Sequence, residues 1–128
     1  MLALHATMGR MSTILIVDDD ARFRAQASAL LSADGFTVIG EADDGPSALA
    51  AAAALRPEYV LLDIGLPGVD GFAVARALSA DSEAPLVVLT SSRDARAFGR
   101  RLREVPSLGF LPKEQVSGAA IRAMSVDA

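Results

Sequence analysis

The feature of this sequence that most limits its fold is a regular alternation between short apolar runs and longer stretches with helical periodicity. Such an alternation predicts a parallel sheet covered by helices on both faces. Three runs are continuously apolar, as in central strands, whereas the second and fifth are more mixed, as in edge strands. The predicted strands are residues 13–17, 37–42, 59–62, 86–89 and 108–111.

Five helices are predicted between and after these strands. The first has apolar residues at i, i+4, i+7 and i+8 and ends at Gly35, and the second is an alanine-rich stretch, 46–55, that Pro57 ends. The resulting (βα)₅ chain is doubly wound, with right-handed connections. The apolar stripes of the first, third, fourth and fifth helices are Phe23, Ala27, Leu30 and Leu31; Val74, Ala75 and Leu78; Ala95, Phe98 and Leu102; and Val116, Ala120 and Met124.

Composition narrows the classes of function. A chain of 128 residues with 52% hydrophobic residues is expected to form one globular domain with no separate output or DNA-binding domain. Its net charge of −4 disfavours nucleic-acid binding through bulk electrostatics. The absence of cysteine and the single histidine, His5, argue against thiolate metal sites, zinc sites and Ser-His-Asp catalysis, and fit a cytoplasmic protein.

The amino-terminal residues differ in character from the rest. Residues 1–12 have neither the charge pattern nor the apolar core of a signal peptide, and no segment is long and apolar enough for a transmembrane helix. We therefore expect a flexible extension over 1–12, with Met8 or Met11 as alternative start residues, and one domain over 13–126.

Polar residues follow the predicted strands at their carboxyl ends, where doubly wound sheets bind ligands. If the strand order is 2-1-3-4-5, the first and third strands are neighbours and their terminal carboxylates share one crevice. The residues concerned are Asp18, Asp19 and Asp20 after the first strand, Asp63 after the third, Thr90, Ser91 and Ser92 after the fourth, and Lys113 after the fifth.

Carboxylates gathered in this way indicate a bound divalent cation, because like charges raise one another's pKa unless a cation neutralises them. Ligation by oxygen alone favours Mg²⁺, with Mn²⁺ as an alternative, and Mg²⁺ commonly recruits a substrate phosphate. Lys113, the single lysine beside eleven arginines, and Thr90 are suited to phosphate oxygens. Asp63 is the candidate nucleophile of an aspartyl-phosphate reaction. Asp20 and Asp43 are expected to be turn or helix-cap residues.

The motifs ILIVDDD, EADDGPSAL, LLDIGLPGVDGF, VVLTSS and GFLPK, in this order, resemble those of response regulator receiver domains over about residues 13–124. The resemblance implies a flavodoxin-like three-layer fold with strand order 2-1-3-4-5. It also implies roles for individual residues. These are Asp63 as phosphoacceptor; Asp18, Asp19, Asp63 and the Gly65 carbonyl as the metal site; and Thr90, Lys113 and Phe110 as the phosphate-contacting and switch residues.

The mechanism that the resemblance implies is phosphoryl transfer from a phosphohistidine of a sensor histidine kinase or phosphotransfer protein. The phosphate then draws Thr90 and Lys113 inward, and Phe110 repacks beneath the surface formed by the fourth helix, fifth strand and fifth helix. This surface would bind a downstream protein partner. Two features depart from the usual pattern: Glu114 follows the lysine where proline is frequent, and Phe110 replaces a frequent tyrosine.

The same residues bear on other possible functions. A Mg²⁺-dependent phosphatase usually has a second acid two residues after its nucleophile, where this chain has Gly65, and the three aspartates after the first strand would repel a flavin phosphate. A receiver-like interaction module that never takes phosphate is the remaining alternative. We expect no enzymatic activity other than self-phosphorylation and self-dephosphorylation. The protein is expected to be a monomer or a weak phosphorylation-dependent dimer. Five arginines beside the fourth helix form a solvated face or dock an acidic partner: Arg93, Arg96, Arg100, Arg101 and Arg103.

Overall fold

The computed structural model describes residues 12–126, which form a single five-stranded sheet in the order β2-β1-β3-β4-β5. All neighbouring strands are parallel, so the predicted doubly wound fold and its strand order are confirmed. Most of the predicted extension, with His5, Met8 and Met11, lies outside the described residues. The strands are β1 (Thr13–Val17), β2 (Thr37–Ala42), β3 (Tyr59–Asp63), β4 (Leu86–Ser91) and β5 (Gly109–Pro112).

Three of the helices begin at aspartates that cap their first turns. Asp20 caps α1 by accepting from the backbone N–H groups of Arg22 and Phe23, as predicted for Asp20. Asp44, rather than Asp43, caps α2, and Asp70 caps α3. The helices are α1 (Ala21–Ala33), α2 (Gly45–Leu55), α3 (Gly71–Leu78), α4 (Arg101–Glu104) and α5 (Gly118–Val126), with 3₁₀ turns at Ala95–Ala97 and Lys113–Gln115.

The prediction of one continuous fourth helix is wrong. The segment forms the 3₁₀ turn Ala95–Ala97 and then the four-residue α4, and Gly99 between them has a left-handed φ of 58° that interrupts the helical backbone. Neither element contains a fully buried residue. The segment is therefore attached to the domain through the half-buried side chains of Phe98 and Leu102, which pack against the core.

Two stripe residues also behave differently from the prediction. Leu30 is 51% exposed although it falls on the apolar side of α1, where Ala27 and Leu31 are the buried residues. Val116 is buried but precedes α5, because the 3₁₀ turn Lys113–Gln115 ends at this residue.

Two hydrophobic clusters pack against opposite faces of the sheet. Side chains alternate along β1, so that Leu15 and Val17 pack with α2 and α3, whereas Ile14 and Ile16 pack with α1 and α5. All four are fully buried, as expected for a central strand. No helix within residues 12–126 is long and apolar enough to span a bilayer.

Candidate functional site

An acidic cluster lies at the carboxyl ends of β1 and β3. These strands are neighbours in the sheet, with Val17 paired to Leu62, so the residues that follow this pair meet at one edge. Asp18, Asp19 and Asp63 each contribute one carboxylate oxygen to a group whose members all lie within 4.8 Å of one another. Asp63 is the last residue of β3 rather than the first residue after it.

The two inner carboxylates are buried and held in the same way. Asp18 is fully buried and Asp63 is 4% exposed, whereas Asp19 is exposed. The Oδ1 of Asp18 accepts from the backbone N–H of Asp20 at 2.9 Å, and the Oδ1 of Asp63 accepts from that of Gly65 at 2.8 Å. Each hydrogen bond closes a short turn, which leaves the Oδ2 atoms available to other partners.

Lys113 lies opposite these Oδ2 atoms. Its Nζ is 2.8 Å from Oδ2 of Asp18 and 3.7 Å from Oδ2 of Asp63, and its side chain is 18% exposed. Burial alone lowers the pKa of the Lys113 ammonium, but Asp18 and Asp63 outweigh this effect and raise the pKa overall. The lysine therefore stays charged and neutralises part of the acidic cluster.

The surroundings of the Asp63 carboxyl group raise its pKa above the ordinary value. Burial raises its pKa, and the charges of Asp18 and Asp19 raise it further. The hydrogen bond from Gly65 and the charge of Lys113 oppose this rise without cancelling it. A neighbouring cation would stabilise the ionised form of Asp63.

Thr90 faces the site from β4, where it is paired in register with Asp63. Its backbone carbonyl accepts from the N–H of Ile64 at 3.0 Å, which fixes the start of the loop after β3. Its hydroxyl is buried, and Oγ1 has no hydrogen-bond partner among the described residues. A buried hydroxyl without a partner is costly, so it marks a group that a ligand can satisfy.

Phe110 of β5 belongs to a row of aromatic rings. Its ring centroid is 6.1 Å from that of Phe98, which is 6.0 Å from that of Phe72. The guanidinium of Arg93 lies over Phe98 at 5.4 Å from the centroid, and that of Arg101 lies over Phe72 at 4.3 Å. The row connects β5 with the segment containing α4 and with the first turn of α3.

Several residues at the site were not predicted from the sequence. The Arg24 guanidinium donates to the Asp18 carbonyl oxygen at 2.6 Å and to the Glu41 carboxylate at 2.9 Å, and so ties the end of β1 to β2. The ring of Phe23, which was predicted as a core residue of α1, lies 4.7 Å from Nζ of Lys113. Neither Phe23 nor Arg24 belongs to a motif named above, and their contacts with Lys113 and Glu41 join parts of the chain that are distant in sequence. The loop at Lys113–Gln115 is a 3₁₀ turn, and every described peptide bond is trans.

The donor set fits a hard divalent cation. Three carboxylates supply oxygen ligands, and Lys113 offsets only part of their negative charge. Asp18, Asp19 and Asp63 would hold Mg²⁺, which stabilises charge that develops on phosphate oxygens. The Gly65 carbonyl remains a predicted further ligand, because no contact of this atom bears on its role.

The comparisons with known proteins agree with this geometry. The family model described as the response regulator receiver domain matches residues 14–124. The chain belongs to this family. The receiver domain found here is also similar in structure to the signal receiver domain of NarL from Mycobacterium tuberculosis, with a TM-score of 0.79 and 31% identity over 90% of this chain and 97% of that one.

Curated relatives are longer proteins. The DNA-binding response regulator MtrA of Mycobacterium tuberculosis is 48% identical over 83 residues, which are 63% of this chain and 35% of MtrA. A protein-glutamate methylesterase/protein-glutamine glutaminase of Anaeromyxobacter dehalogenans is 41% identical over 115 residues, which are 88% of this chain and 33% of that protein. The receiver domain spans between 33% and 56% of the length of such relatives.

Proposed function

We propose that this receiver domain accepts a phosphoryl group on Asp63 in a Mg²⁺-dependent step of a cytoplasmic two-component phosphorelay. The donor is a phosphohistidine of a sensor histidine kinase or a phosphotransfer protein. The single observation that carries the proposal is the arrangement around Asp63: Gly65 N–H binds one oxygen at 2.8 Å, and Lys113 Nζ lies 3.7 Å from the other. The hydrogen bond from Gly65 thus orients Oδ1 of Asp63, and Oδ2 faces Lys113.

The chemistry follows from these contacts. A carboxylate oxygen of Asp63 forms a bond to phosphorus while the phosphorus–nitrogen bond of the phosphohistidine breaks, and the imidazole leaves with the electron pair. The hydrogen bond from the N–H of Gly65 fixes the orientation of the Asp63 carboxylate. Lys113 provides positive charge for the phosphoryl oxygens, and the buried hydroxyl of Thr90 supplies a further donor. Mg²⁺ held by Asp18, Asp19 and Asp63 supplies charge stabilisation when bound.

The output surface is the segment containing α4 together with β5 and α5. Its support is the contrast between the central strand β3, in which every residue is buried, and the segment 94–104, which has no buried residue in its helical elements. A new bond between Thr90 and the phosphate would move the end of β4, which leads into this segment. Phe110, packed on Phe98 within the same surface, would follow that movement.

The partner of this surface is an unidentified protein, for which the exposed arginines offer positive charge. Four of the five predicted arginines, Arg93, Arg96, Arg100 and Arg101, contact a carboxylate or an aromatic ring within 5.4 Å. We propose a monomer or a weak phosphorylation-dependent dimer for the resting and phosphorylated states.

Intact-mass measurement after incubation with acetyl phosphate and Mg²⁺ tests the proposal. We expect one phosphoryl group on the wild type and on Asp43→Asn, an exposed aspartate outside the cluster, and none on Asp63→Ala. A chelator should abolish the modification. A wild type that takes no phosphate under any condition would contradict the proposal and favour an interaction module that works without phosphorylation.

A further inference from the structure

Phe23 contacts the lysine of the phosphate site through the face of its ring. The Nζ of Lys113 lies over this ring at 4.7 Å from the centroid, within the range of a cation–π interaction. Phe23 is held in the first turn of α1, where its backbone N–H donates to Oδ1 of Asp20 at 3.3 Å. The ring is therefore positioned by the same chain segment that carries Asp18 and Asp19.

The ring differs in kind from the other partners of this ammonium. Asp18 and Asp63, at 2.8 and 3.7 Å, are also the oxygen donors of the proposed metal site. A divalent cation competes with Lys113 for these carboxylates, whereas it prefers oxygen ligands to an aromatic ring. Lys113 therefore keeps its contact with Phe23 when Asp18 and Asp63 bind a divalent cation.

The surroundings of the ring leave room for the lysine to move. A cavity of about 320 Å³ is lined by Phe23 and Lys113 together with Ala27, Leu30 and Glu114. Loss of the ring would enlarge the cavity and open the ammonium to solvent and to the exposed carboxylate of Glu114. A cation–π contact extends to about 6 Å from the ring centroid, and Nζ lies at 4.7 Å, so Lys113 can shift a short way toward a phosphoryl oxygen and remain over the ring.

We propose that Phe23 is a positioning residue that holds the Lys113 ammonium toward Asp63 through its ring face. The inference rests on the proposed function, since a phosphoryl group on Asp63 is what Lys113 would meet. An aliphatic residue of similar position would fill part of the same volume but would not attract the cation. The aromatic character of residue 23, rather than its size, should therefore control Lys113.

The test uses the fact that Lys113 is the only lysine of the chain. Lysine labelled with ¹³C at Cε gives one side-chain resonance, and an overlying ring shifts the attached protons upfield. The full chain is compared with Phe23→Leu, Phe23→Met and Phe23→Tyr, and with Leu30→Ala, a control in the same cavity. Initial rates of phosphorylation by acetyl phosphate are measured on the same samples, and thermal unfolding identifies variants that fold.

We expect Phe23→Leu and Phe23→Met to move the lysine protons downfield and to slow phosphorylation by about three- to tenfold. Phe23→Tyr should restore both the resonance and the rate, and Leu30→Ala should leave both unchanged. An unmoved resonance in folded Phe23→Leu or Phe23→Met, or equal rates for the aliphatic variants and wild type, would overturn the inference. If wild type takes no phosphate, the proposed function fails, whereas the resonance still decides whether Phe23 holds Lys113.

Discussion

Arg101 donates to Oδ2 of Asp70 at 2.6 Å while its guanidinium lies 4.3 Å from the ring centroid of Phe72. Asp70 also caps α3, since its Oδ1 accepts from the backbone N–H of Phe72 at 3.0 Å. One carboxylate therefore serves both the start of α3 and the short helix α4. This contact links the loop that follows Asp63 to the proposed output segment.

We predict that Arg101→Gln loosens the segment 94–104 without disturbing the sheet. The pair is half-exposed, so the free energy of unfolding should fall by no more than about 1 kcal/mol. Hydrogen exchange should accelerate at amides of 94–104 and stay unchanged in β1 and β3. Arg100→Gln is the control, because Arg100 is 3.8 Å from Glu104 and both side chains are well exposed. Equal exchange in the two variants would contradict the prediction.

The hydroxyl of Thr90 is buried and has no hydrogen-bond partner within residues 12–126, so its removal should be stabilising. Thr90→Val is expected to raise the free energy of unfolding by about 1 kcal/mol, measured by urea denaturation. Thr13→Val should lower it by a similar amount, since Oγ1 of Thr13 accepts from the N–H of Glu58 at 2.9 Å. A destabilised Thr90→Val would show that its hydroxyl has a partner after all.

Asp63 predicts a pH dependence with a definite sign. Burial, followed by the neighbouring carboxylates, raises the pKa of Asp63 in the folded protein, so ionisation of this group opposes folding. This loss of stability is absent below the pKa that Asp63 has in the unfolded chain. It becomes complete as the pH rises through the pKa of Asp63 in the folded protein. In buffer that contains a chelator, the free energy of unfolding of Asp63→Asn should therefore exceed that of wild type at neutral pH. This difference should vanish in acid. Thermal unfolding of both proteins across the pH range measures the difference, and a gain that persists in acid would contradict this account.

Gly71 lies directly against the backbone of the loop after β3. A Cβ at this position would overlap Cα of Ile64 and would stand 2.8 Å from its carbonyl carbon and oxygen. Gly71→Ala should lower the free energy of unfolding by about 1–3 kcal/mol, because the backbone of one segment must move. Ala77→Ser, an exposed position of the same helix, is the control for urea denaturation. Stability equal to wild type would mean that the two segments separate at little cost.

The sheet could be predicted because buried strands leave a clear mark in the sequence. The apolar runs located all five strands, and the residues at their carboxyl ends, Asp18, Asp19, Asp63, Thr90 and Lys113, do lie at one edge of the sheet. Their roles in phosphate chemistry remain predictions.

The parts that the sequence did not predict depend on weaker local signals or on distant contacts. The stripe of Ala95, Phe98 and Leu102 has helical spacing, but Gly99 adopts a left-handed conformation that spacing does not report. The pairing of Phe23 with Lys113 joins residues 90 positions apart, which no local pattern encodes.

The loose attachment of the segment 94–104 has a thermodynamic consequence for signalling. If phosphate on Asp63 changes the affinity of this segment for a partner, then the partner must change the stability of the phosphorylated form by the same factor. A protein that binds the rearranged segment would stabilise the phosphorylated form of Asp63, although Phe110 and Phe98 lie between its binding surface and the phosphate. The partner protein would therefore also influence how readily Asp63 is phosphorylated.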